Sequence, residues 1–186
     1  MKRKLLRFLI LFIVAAMGVT VTSCGSKKKV YKSFYDEQFE TLNKGKHSND
    51  KSDKNHKEVS KERKKIIKEA EGWLGTPYAY GRADKGVACD CSGMVMSVYE
   101  KVTGIKLPRN SAKQSDFCKS LKKKDVLPGD LCFFATGKDP ERISHVGIMV
   151  DEKNFIHASS SKGVVISDIT QPYYVRTFKG FGRVPD

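Results

Sequence analysis

The sequence has few apolar residues for its length, because hydrophobic side chains occupy only 39% of its 186 positions. Acidic side chains are also scarce: 21 Asp and Glu stand against 35 Lys and Arg, which leaves a formal net charge of +14. A compact domain normally combines a higher apolar fraction with a smaller net charge. These averages predict one folded domain of ordinary size attached to a disordered segment.

Long apolar runs are missing as well. The longest, at residues 8–21, is shorter than the ~20 residues that an apolar helix needs to cross a bilayer. It follows a basic segment, residues 1–7, and leads to small residues just before Cys24. This succession is typical of an export signal and disfavours a transmembrane anchor.

Residues 21–26, VTSCGS, resemble the bacterial lipobox. The resemblance implies a signal peptide at residues 1–23 and makes Cys24 the acylated first residue of a mature lipoprotein, modified with a lipid such as palmitate. Lipid chains together with nearby basic residues hold a protein at a membrane surface. Gly25 and Ser26 stand where an aspartate would resemble an inner-membrane retention signal, so attachment to the outer membrane, facing the periplasm, is predicted.

Apolar side chains are absent from residues 43–57, NKGKHSNDKSDKNHK. Such a stretch cannot bury enough surface to offset the entropy of ordering the chain, so residues 24–58 are predicted to form a flexible tether. Residues 25–70 carry 14 Lys and Arg against 8 Asp and Glu. The basic excess therefore favours contact with anionic lipid or cell wall, and argues against nucleic-acid binding, which needs a basic surface on the folded domain.

Helical patterns come first in the ordered part, which is predicted to span residues 59–186. An amphipathic helix is indicated by apolar side chains at helical spacing, namely Ile66, Ile67, Ala70, Trp73 and Leu74. A second helix is predicted from Cys91 to about Gly104, and a short third helix from Ser111 to Cys118.

Strand patterns follow the turn signal at residues 128–130, Pro-Gly-Asp. They are LCFFA, HVGIMV, NFIHAS, GVVISDI and a last one within FKGFGRV. Helices first and strands afterwards are typical of the α+β class, so we predict N-terminal helices packed on an antiparallel sheet of five or six strands.

Four residues of the predicted domain form a candidate zinc site: Cys89, Cys91, His145 and His157. The two cysteines are separated by one residue, whereas zinc-binding pairs normally have two to four residues between them, so no metal or other cofactor is predicted. Export permits disulfides, and whether Cys89, Cys118 or Cys132 forms one stays open. Buried free thiols are the plainer interpretation of Cys118 and Cys132.

Cys91 differs from the other cysteines by its position at the start of a helix. With Asp90 as N-cap, Cys91 falls in the first turn, where backbone N–H groups and the helix dipole favour an anion. A thiol at such a position has a lowered pKa, and the thiolate is the nucleophilic form. Because Cys91 shares a helix face with Val95 and Val98, it is predicted to point inward against the sheet.

A thiolate nucleophile needs a base, and two histidines lie in consecutive strand patterns. His145 opens HVGIMV and His157 lies in NFIHAS. If the connecting loop has an odd number of residues, such as 151–153, His157 pairs opposite Gly147 and shares a face with His145. His145 is then the base and His157 the group that orients it. The alternative is a pair of hairpin histidines packed at the edge of the core.

Six motifs occur in the order GTPYAYG, DCSGMV, PRNSAKQ, LPGDLCFF, HVGIMV and FIHAS. Together they resemble the NlpC-type cell-wall peptidases, which are cysteine peptidases with a papain-like fold, over residues 60–186. The resemblance implies Cys91 as nucleophile, His145 as general base and His157 as the third polar member of the site. It also implies that Tyr78 lies beside the nucleophile, where its hydroxyl helps the Cys91 N–H to bind the oxyanion.

The same resemblance implies a substrate, the peptide stem of peptidoglycan, cut between γ-D-glutamate and a diamino acid. Asp90 and Ser92 resemble positions that hold the amine of an N-terminal L-alanine in members that require it. Arg109 is a candidate partner for a substrate carboxylate, with a structural or exposed arginine as the alternative. Arg82 departs from the pattern, because a glycine is common there, and this leaves the shape of the cleft open.

The predicted function is that of a lipoprotein endopeptidase that acts as a monomer on peptidoglycan stems, reaches the membrane through its N-terminal lipid and has no nucleic acid as partner. Two alternatives stay open. One is an amidase or acyl transferase on the same fold, and the other is a non-catalytic module that binds the cell wall.

Overall fold

The computed structural model of the chain describes residues 51–186, with side chains from residue 61 onward. The predicted signal peptide at residues 1–23, the lipidated Cys24 and most of the tether predicted for residues 24–58 lie outside the described residues. Within residues 51–186, no helix combines the length and the apolarity that crossing a membrane requires.

Four helices and eight strands make up the described part of the chain. The helices are α1 (Lys51–Glu71), α2 (Cys91–Thr103), α3 (Ser111–Phe117) and α4 (Pro172–Thr177), with one 3-10 turn at Lys123–Asp125. The strands are β1 (Ala83–Asp84), β2 (Ala88–Cys89), β3 (Lys119–Leu121), β4 (Leu131–Phe134), β5 (His145–Met149), β6 (Asn154–Ser159), β7 (Gly163–Asp168) and β8 (Phe178–Arg183).

One antiparallel sheet contains six of the strands, in the order β3-β8-β4-β5-β6-β7, and β1 and β2 form a separate two-stranded sheet. The helix α2 packs against β5 and β6 and buries Met94 and Val95 completely. From the sheet, Phe133, Ile148 and Ile156 are buried to the same degree. The predicted α+β class and the antiparallel sheet of five or six strands are therefore confirmed.

The first helix buries the predicted apolar face, with Ile66, Ile67 and Ala70 almost fully excluded from solvent. It begins at Lys51, however, within the segment predicted to be a flexible tether. Residues 51–58 contain no apolar residue, so periodicity could not reveal this extension. Lysine and glutamate are good helix formers and allow a helix to continue from its packed part into solvent. The domain boundary at residue 59 stays a prediction.

Several short elements were not predicted from the sequence. The strands β1 and β2 have two residues each and β3 has three, which is too short for an alternation pattern to be visible. The helix α4 begins with Pro172, a residue suited to the first turn of a helix, but contains only six residues. Their positions depend on tertiary contacts more than on local sequence.

A buried carboxylate connects the first helix to the last strand. The Asp130 side chain is 1% exposed and accepts hydrogen bonds from Arg63 of α1, at 3.1 Å, and from Arg183 of β8, at 2.7 and 2.9 Å. Its second oxygen also accepts from the backbone N–H of Leu127, at 2.7 Å, which closes the predicted Pro-Gly-Asp turn. Because the charge is paired and fully hydrogen-bonded, its burial is tolerated.

Candidate active site

The N-terminus of α2 presents Cys91 as the sequence predicted. Asp90 is the N-cap, with extended backbone angles, and its Oδ1 accepts the Gly93 N–H at 2.8 Å. Cys91 is 7% exposed and lies on the face of the fully buried Val95. A Cβ atom at Gly93 would collide with the carbonyl oxygen of Arg82, so the missing side chain lets the loop before the helix approach its first turn.

The expected lowering of the Cys91 pKa is wrong. Burial raises the pKa of the Cys91 thiol to about 11, although the backbone N–H groups of Val146, Ser92 and Cys91 favour the thiolate and oppose the rise. The helix terminus therefore supplies donors to the sulfur, but desolvation of the charged form outweighs them. Burial therefore favours the protonated thiol over the thiolate.

The hairpin between β5 and β6 has the odd-numbered loop on which the pairing of the two histidines depends. Val150 donates its N–H to the Asn154 carbonyl at 2.9 Å, which leaves residues 151–153 in the turn. Asp151 fixes that turn, because its Oδ1 accepts the N–H groups of Lys153 and Asn154, both at 2.8 Å. Ile148 pairs with Ile156, and continuing this register by one residue sets His157 opposite Gly147.

The two histidine rings meet on one face of this hairpin. His145 Nε2 lies 2.9 Å from His157 Nδ1, and the two rings are nearly perpendicular, with centroids 4.9 Å apart. Gly147 makes room for them, because a Cβ atom there would lie 3.2 Å from the Cβ of His157 and 2.5 Å from the ring of Phe155. The structure thus brings together the two histidines that the sequence placed in consecutive strands.

Burial keeps both imidazoles neutral near neutral pH. Desolvation lowers the pKa of His145 to about 4. Desolvation, followed by repulsion from a charge on His145, lowers the pKa of His157 to about 3. His157 is only 2% exposed, so a proton added there would be buried in a largely apolar setting.

A backbone contact connects the thiol to the histidine pair. The helix that begins with Cys91 packs against β5, where Val146 directly follows His145, and the backbone of Val146 favours the anionic form of the Cys91 sulfur. Since His145 Nε2 is occupied by His157, Nδ1 is the ring nitrogen that remains for the thiol. The arrangement has the composition of a nucleophile, a base and an orienting group.

Two further residues of the site were missed by the sequence analysis. Ser167 Oγ lies 2.9 Å from His157 Nε2, and the Tyr174 hydroxyl lies 3.2 Å from the same nitrogen. Ser167 belongs to β7 and Tyr174 to α4. A serine in a strand and a tyrosine in a short helix carry no spacing signal, so only the folded arrangement reveals them.

Tyr78, which the resemblance placed beside the nucleophile, lies on a segment that pairs with the residues just before Cys91. Its backbone forms an isolated bridge with Cys89, two residues before Cys91. Burial raises the pKa of Tyr78, and the negative charges that Cys91 and Asp90 carry when ionised raise it further. The phenol is therefore protonated at neutral pH and has a hydroxyl that can donate a hydrogen bond. Its role in binding an oxyanion stays a prediction.

Asp90 is engaged on both carboxylate oxygens by its own chain. Arg109 donates to Oδ1 at 2.9 Å and to Oδ2 at 2.7 Å, and the Gly81 N–H donates to Oδ2 at 2.7 Å. Burial opposes ionisation of Asp90, but the hydrogen bonds from Arg109, Gly93 and Gly81 outweigh it and lower the pKa of Asp90. A substrate amine at Asp90 would have to compete with a bidentate guanidinium.

Ser92 and Arg109 belong to the same network. Ser92 Oγ donates to the Arg109 carbonyl at 2.8 Å, and Arg109 Nη1 donates to Ser92 Oγ at 3.0 Å. The buried Gln114 holds the segment in place through its Nε2, which donates to the carbonyls of Ser92 and Pro108 at 3.0 and 2.8 Å. The Arg109 side chain is still 41% exposed. Substrate binding by Asp90, Ser92 and Arg109 stays a prediction.

Arg82 fits the loop without strain. Among residues 51–186, only glycines have positive φ angles, so this position does not demand a glycine. The Arg82 side chain is exposed and pairs with Asp84 at 2.7 Å, while its carbonyl accepts the Asp90 N–H at 3.0 Å. The departure from the family pattern therefore changes the surface of the loop and preserves its backbone.

The cysteines of the described part of the chain are all free thiols: Cys89, Cys91, Cys118 and Cys132. Burial raises the pKa of Cys89 to about 11 and that of Cys118 to about 12. Across residues 51–186, no three His, Cys, Asp or Glu side chains come together as metal ligands would. The two candidate histidine ligands are instead bonded to each other.

Curated relatives share the domain. The chain is 41% identical over 113 residues to a protein described as "Probable endopeptidase" of Haemophilus influenzae, covering 60% of this chain and 68% of the relative. It is 33% identical over 120 residues to "Murein DD-endopeptidase MepS/Murein LD-carboxypeptidase" of Escherichia coli K12, covering 64% of this chain and 62% of the relative.

A solved structure shares the fold. A NlpC/P60 family protein from Bacillus cereus superposes with a TM-score of 0.61 and 29% sequence identity, over 66% of this chain and 40% of the solved chain. This chain therefore spans less than half of the solved one. A sequence model described as the NlpC/P60 family matches residues 75–183, the segment that contains Cys91, His145 and His157. The chain belongs to the NlpC/P60 family.

Proposed function

We propose that the protein is a peptidoglycan endopeptidase that hydrolyses stem peptides through a Cys91–His145–His157 thiol mechanism. The observation that carries this proposal is the bonded pair of histidines on β5 and β6, the two strands against which the helix that begins with Cys91 packs. Membership of the NlpC/P60 family and the endopeptidase names of the relatives support the reaction type.

The reaction begins from a neutral thiol and a neutral imidazole. His145 Nδ1 takes the proton as the Cys91 sulfur attacks the carbonyl carbon of the scissile amide. The negative charge on the carbonyl oxygen is stabilised by the Cys91 N–H and the Tyr78 hydroxyl. His145 then gives its proton to the leaving amine, the C–N bond breaks, and a thioester remains. His145 then takes a proton from water as the water oxygen attacks the thioester carbonyl carbon, and the C–S bond breaks to release the carboxylic acid product. The proton returns from His145 to the sulfur, which regenerates the thiol.

The scissile bond is proposed to join γ-D-glutamate and a diamino acid, as the family resemblance implies. Arg109 supports this assignment by offering an exposed guanidinium near Cys91, where a carboxylate of the stem peptide would be recognised. The name of the Escherichia coli relative specifies other bonds of the same polymer, DD and LD. Product analysis must therefore distinguish these bonds.

Digestion of defined muropeptides tests the reaction. The full-length protein is expected to release fragments whose masses place the cut after γ-D-glutamate, and Cys91→Ala is expected to release none, because the nucleophile is gone. Cys89→Ser is the matched control, since Cys89 belongs to the same motif and has no assigned step. Full cleavage by Cys91→Ala, checked by mass spectrometry, would falsify the mechanism.

The same digestion separates the two alternatives. A new amide or ester in the products would indicate an acyl transferase, and release of ammonia would indicate an amidase. A protein that binds peptidoglycan but cleaves no muropeptide would be a cell-wall-binding module. The intact Cys91, His145 and His157 favour the endopeptidase over this last alternative.

Attachment to the outer membrane, facing the periplasm, is proposed from the lipobox resemblance at Cys24 and the basic residues that follow. Cys24→Ala is expected to abolish incorporation of a labelled fatty acid, because the acylated residue is gone. It is also expected to move the protein out of the membrane fraction, because firm anchoring needs both the lipid and the basic residues and only the basic residues remain. Unchanged lipid labelling of Cys24→Ala would overturn the assignment.

A further inference from the structure

Two hydroxyl groups lie against the outer nitrogen of His157. His157 Nε2 is 2.9 Å from Ser167 Oγ and 3.2 Å from the Tyr174 hydroxyl, and Tyr174 donates to Ser167 Oγ over 3.3 Å. The three residues come from β6, β7 and α4. The proposed mechanism uses neither hydroxyl group, although both contact His157, which in turn contacts the base His145.

The geometry around this nitrogen indicates where the proton of His157 resides. A neutral imidazole nitrogen either carries an N–H or offers one lone pair in the ring plane. Two oxygens within hydrogen-bonding range fit an N–H shared between two acceptors. In the reverse arrangement, Nε2 carries a lone pair and Ser167 donates its proton to it. The Tyr174 hydroxyl donates to Ser167. Its oxygen would then face the lone pair on Nε2 without a proton between them, which is repulsive.

The position of this proton determines the tautomer of His145. With Nε2 protonated, Nδ1 of His157 is an acceptor and receives the proton of His145 Nε2 across 2.9 Å. A neutral His145 that carries its proton on Nε2 has a free lone pair on Nδ1, which is the form that can accept a proton from Cys91. Reversing the direction of the bonds would put the proton on Nδ1 and block that step.

The rings around His157 prevent it from turning over. Phe155 stacks on the imidazole, with centroids 4.7 Å apart and an interplanar angle of 26°. Tyr174 packs edge-on against His157 at 5.6 Å and against Phe155 at 4.9 Å. The two nitrogens of His157 therefore keep their separate partners, and Tyr174 contributes both a hydroxyl group and a packed aromatic ring.

We propose that Ser167 and Tyr174 are positioning residues that keep the proton of His157 on Nε2 and thereby hold His145 in the tautomer that accepts the Cys91 proton. The inference rests on the proposed function, because it assigns a proton position to the base of that mechanism. Ser167 and Tyr174 act through His157 and contact no reacting atom.

Nitrogen NMR of the isotope-labelled full-length protein tests the proton positions without any substrate. Couplings from the ring carbons to the ring nitrogens are expected to show a protonated Nε2 and an unprotonated Nδ1 in both His157 and His145 at pH 7. A protonated Nδ1 on His157 in the unmodified protein would overturn the proposal.

Variants test whether the two hydroxyls cause this state. In Ser167→Ala combined with Tyr174→Phe, both acceptors are removed, and the Nε2–H signature of His157 is expected to be lost or mixed. The kcat for muropeptide hydrolysis should fall by about tenfold to a hundredfold, since a lost hydrogen bond to a buried group changes a rate by roughly this factor. The KM should stay within about twofold, because no substrate contact is removed.

Conservative and matched variants separate positioning from packing. Ser167→Thr keeps a hydroxyl group and is expected to retain the proton of His157 on Nε2 and most of the kcat of the unmodified protein. Tyr173→Phe removes the hydroxyl of the exposed neighbour on α4, and Ser161→Ala removes an exposed hydroxyl between β6 and β7; neither should change kcat. Wild-type kcat and tautomer in the double variant would refute the inference.

Failure of this inference and failure of the proposed function are distinguishable. If the unmodified protein cleaves no muropeptide, the proposed function fails, while the NMR spectrum still reports the direction of the hydrogen bonds. If the unmodified protein cleaves and the double variant is equally active, the function stands and the role of Ser167 and Tyr174 is refuted.

Discussion

Burial opposes charge on both Cys91 and His145. It raises the pKa of the thiol to about 11 and lowers the pKa of the imidazole to about 4. Transfer of the proton from sulfur to nitrogen in the resting site would create two buried charges from two neutral groups, which a poorly solvated environment disfavours. The site is therefore expected to rest as thiol and imidazole and to separate charge only during attack on a substrate.

Alkylation of Cys91 by iodoacetamide measures this resting state. Below a thiol pKa of about 11 the reactive thiolate fraction grows tenfold with each unit of pH. The alkylation rate at Cys91 is accordingly expected to be low at pH 7 and to rise steadily up to pH 10, as followed by mass spectrometry of the modified peptide. A plateau of high reactivity between pH 5 and pH 8 would instead reveal a thiolate–imidazolium pair.

At the residue scale the sequence predicted the main candidate residues of the site and missed two residues that contact them. Asp90, Cys91 and the histidines lie in local patterns, since a helix start and a hairpin can be recognised from neighbours in the chain. Ser167 and Tyr174 reach His157 only after β7 pairs with β6 and α4 folds back on the sheet. Long-range contacts of this kind leave no mark on local spacing.

At the element scale the β5–β6 hairpin carries the site. Asp151 holds the turn through the N–H groups of Lys153 and Asn154, the register that follows sets His157 beside Gly147, and the missing Gly147 side chain admits the rings. The strands β5 and β6 could be predicted from their apolar patterns, and their pairing followed from the short turn between them. The lengths of α1 and of the edge strand β3 could not be predicted, because most of their residues are polar and show no apolar periodicity.

Gly147→Ala tests the space that this hairpin provides. The added methyl group would meet the Phe155 ring at 2.5 Å and the Ile156 carbonyl oxygen at 3.0 Å, so the strand or the rings must shift. Overpacking of this kind destabilises a core by about 1–3 kcal/mol, and displacement of His157 should lower kcat as well. Urea denaturation and muropeptide assays measure the two effects.

Gly137→Ala is the matched control for that substitution. Its added methyl group would have only ordinary contacts with Ser144, at 3.5 and 3.7 Å. Stability and kcat should both stay close to those of the unmodified protein. Equal effects of the two substitutions would contradict the role assigned to Gly147.

At the scale of the whole molecule, the buried histidines make folding dependent on pH. Their folded pKa values, about 4 for His145 and about 3 for His157, lie below the ordinary value of 6.5. In the unfolded chain both take up protons below pH 6.5, whereas the folded domain does not do so until about pH 4. The unfolded state therefore binds more protons in this window, and stability falls as the pH falls through it.

The free energy of unfolding is expected to decrease from pH 6.5 to pH 4, as measured by urea denaturation at a series of pH values. Replacing both histidines with glutamine should flatten the curve in this window. The decline below pH 4 should persist in that variant, because the lowered pKa of Asp90 acts there and stabilises the fold only while the carboxylate is ionised. An unchanged slope between pH 6.5 and pH 4 would contradict the burial of neutral histidines.

The three-residue turn at 151–153 also restricts which changes of sequence the hairpin can accept. Substitutions at the exposed Glu152 and Lys153 leave the register intact, provided that Asp151 remains. A slip of β6 against β5 by one residue, in contrast, would exchange the two faces of β6 and set Ile156 or Ala158 opposite Gly147 in place of His157. Because β6 also pairs with β7 at six positions, such a slip would disrupt the core together with the histidine pair, so the core and the candidate site depend on the same register.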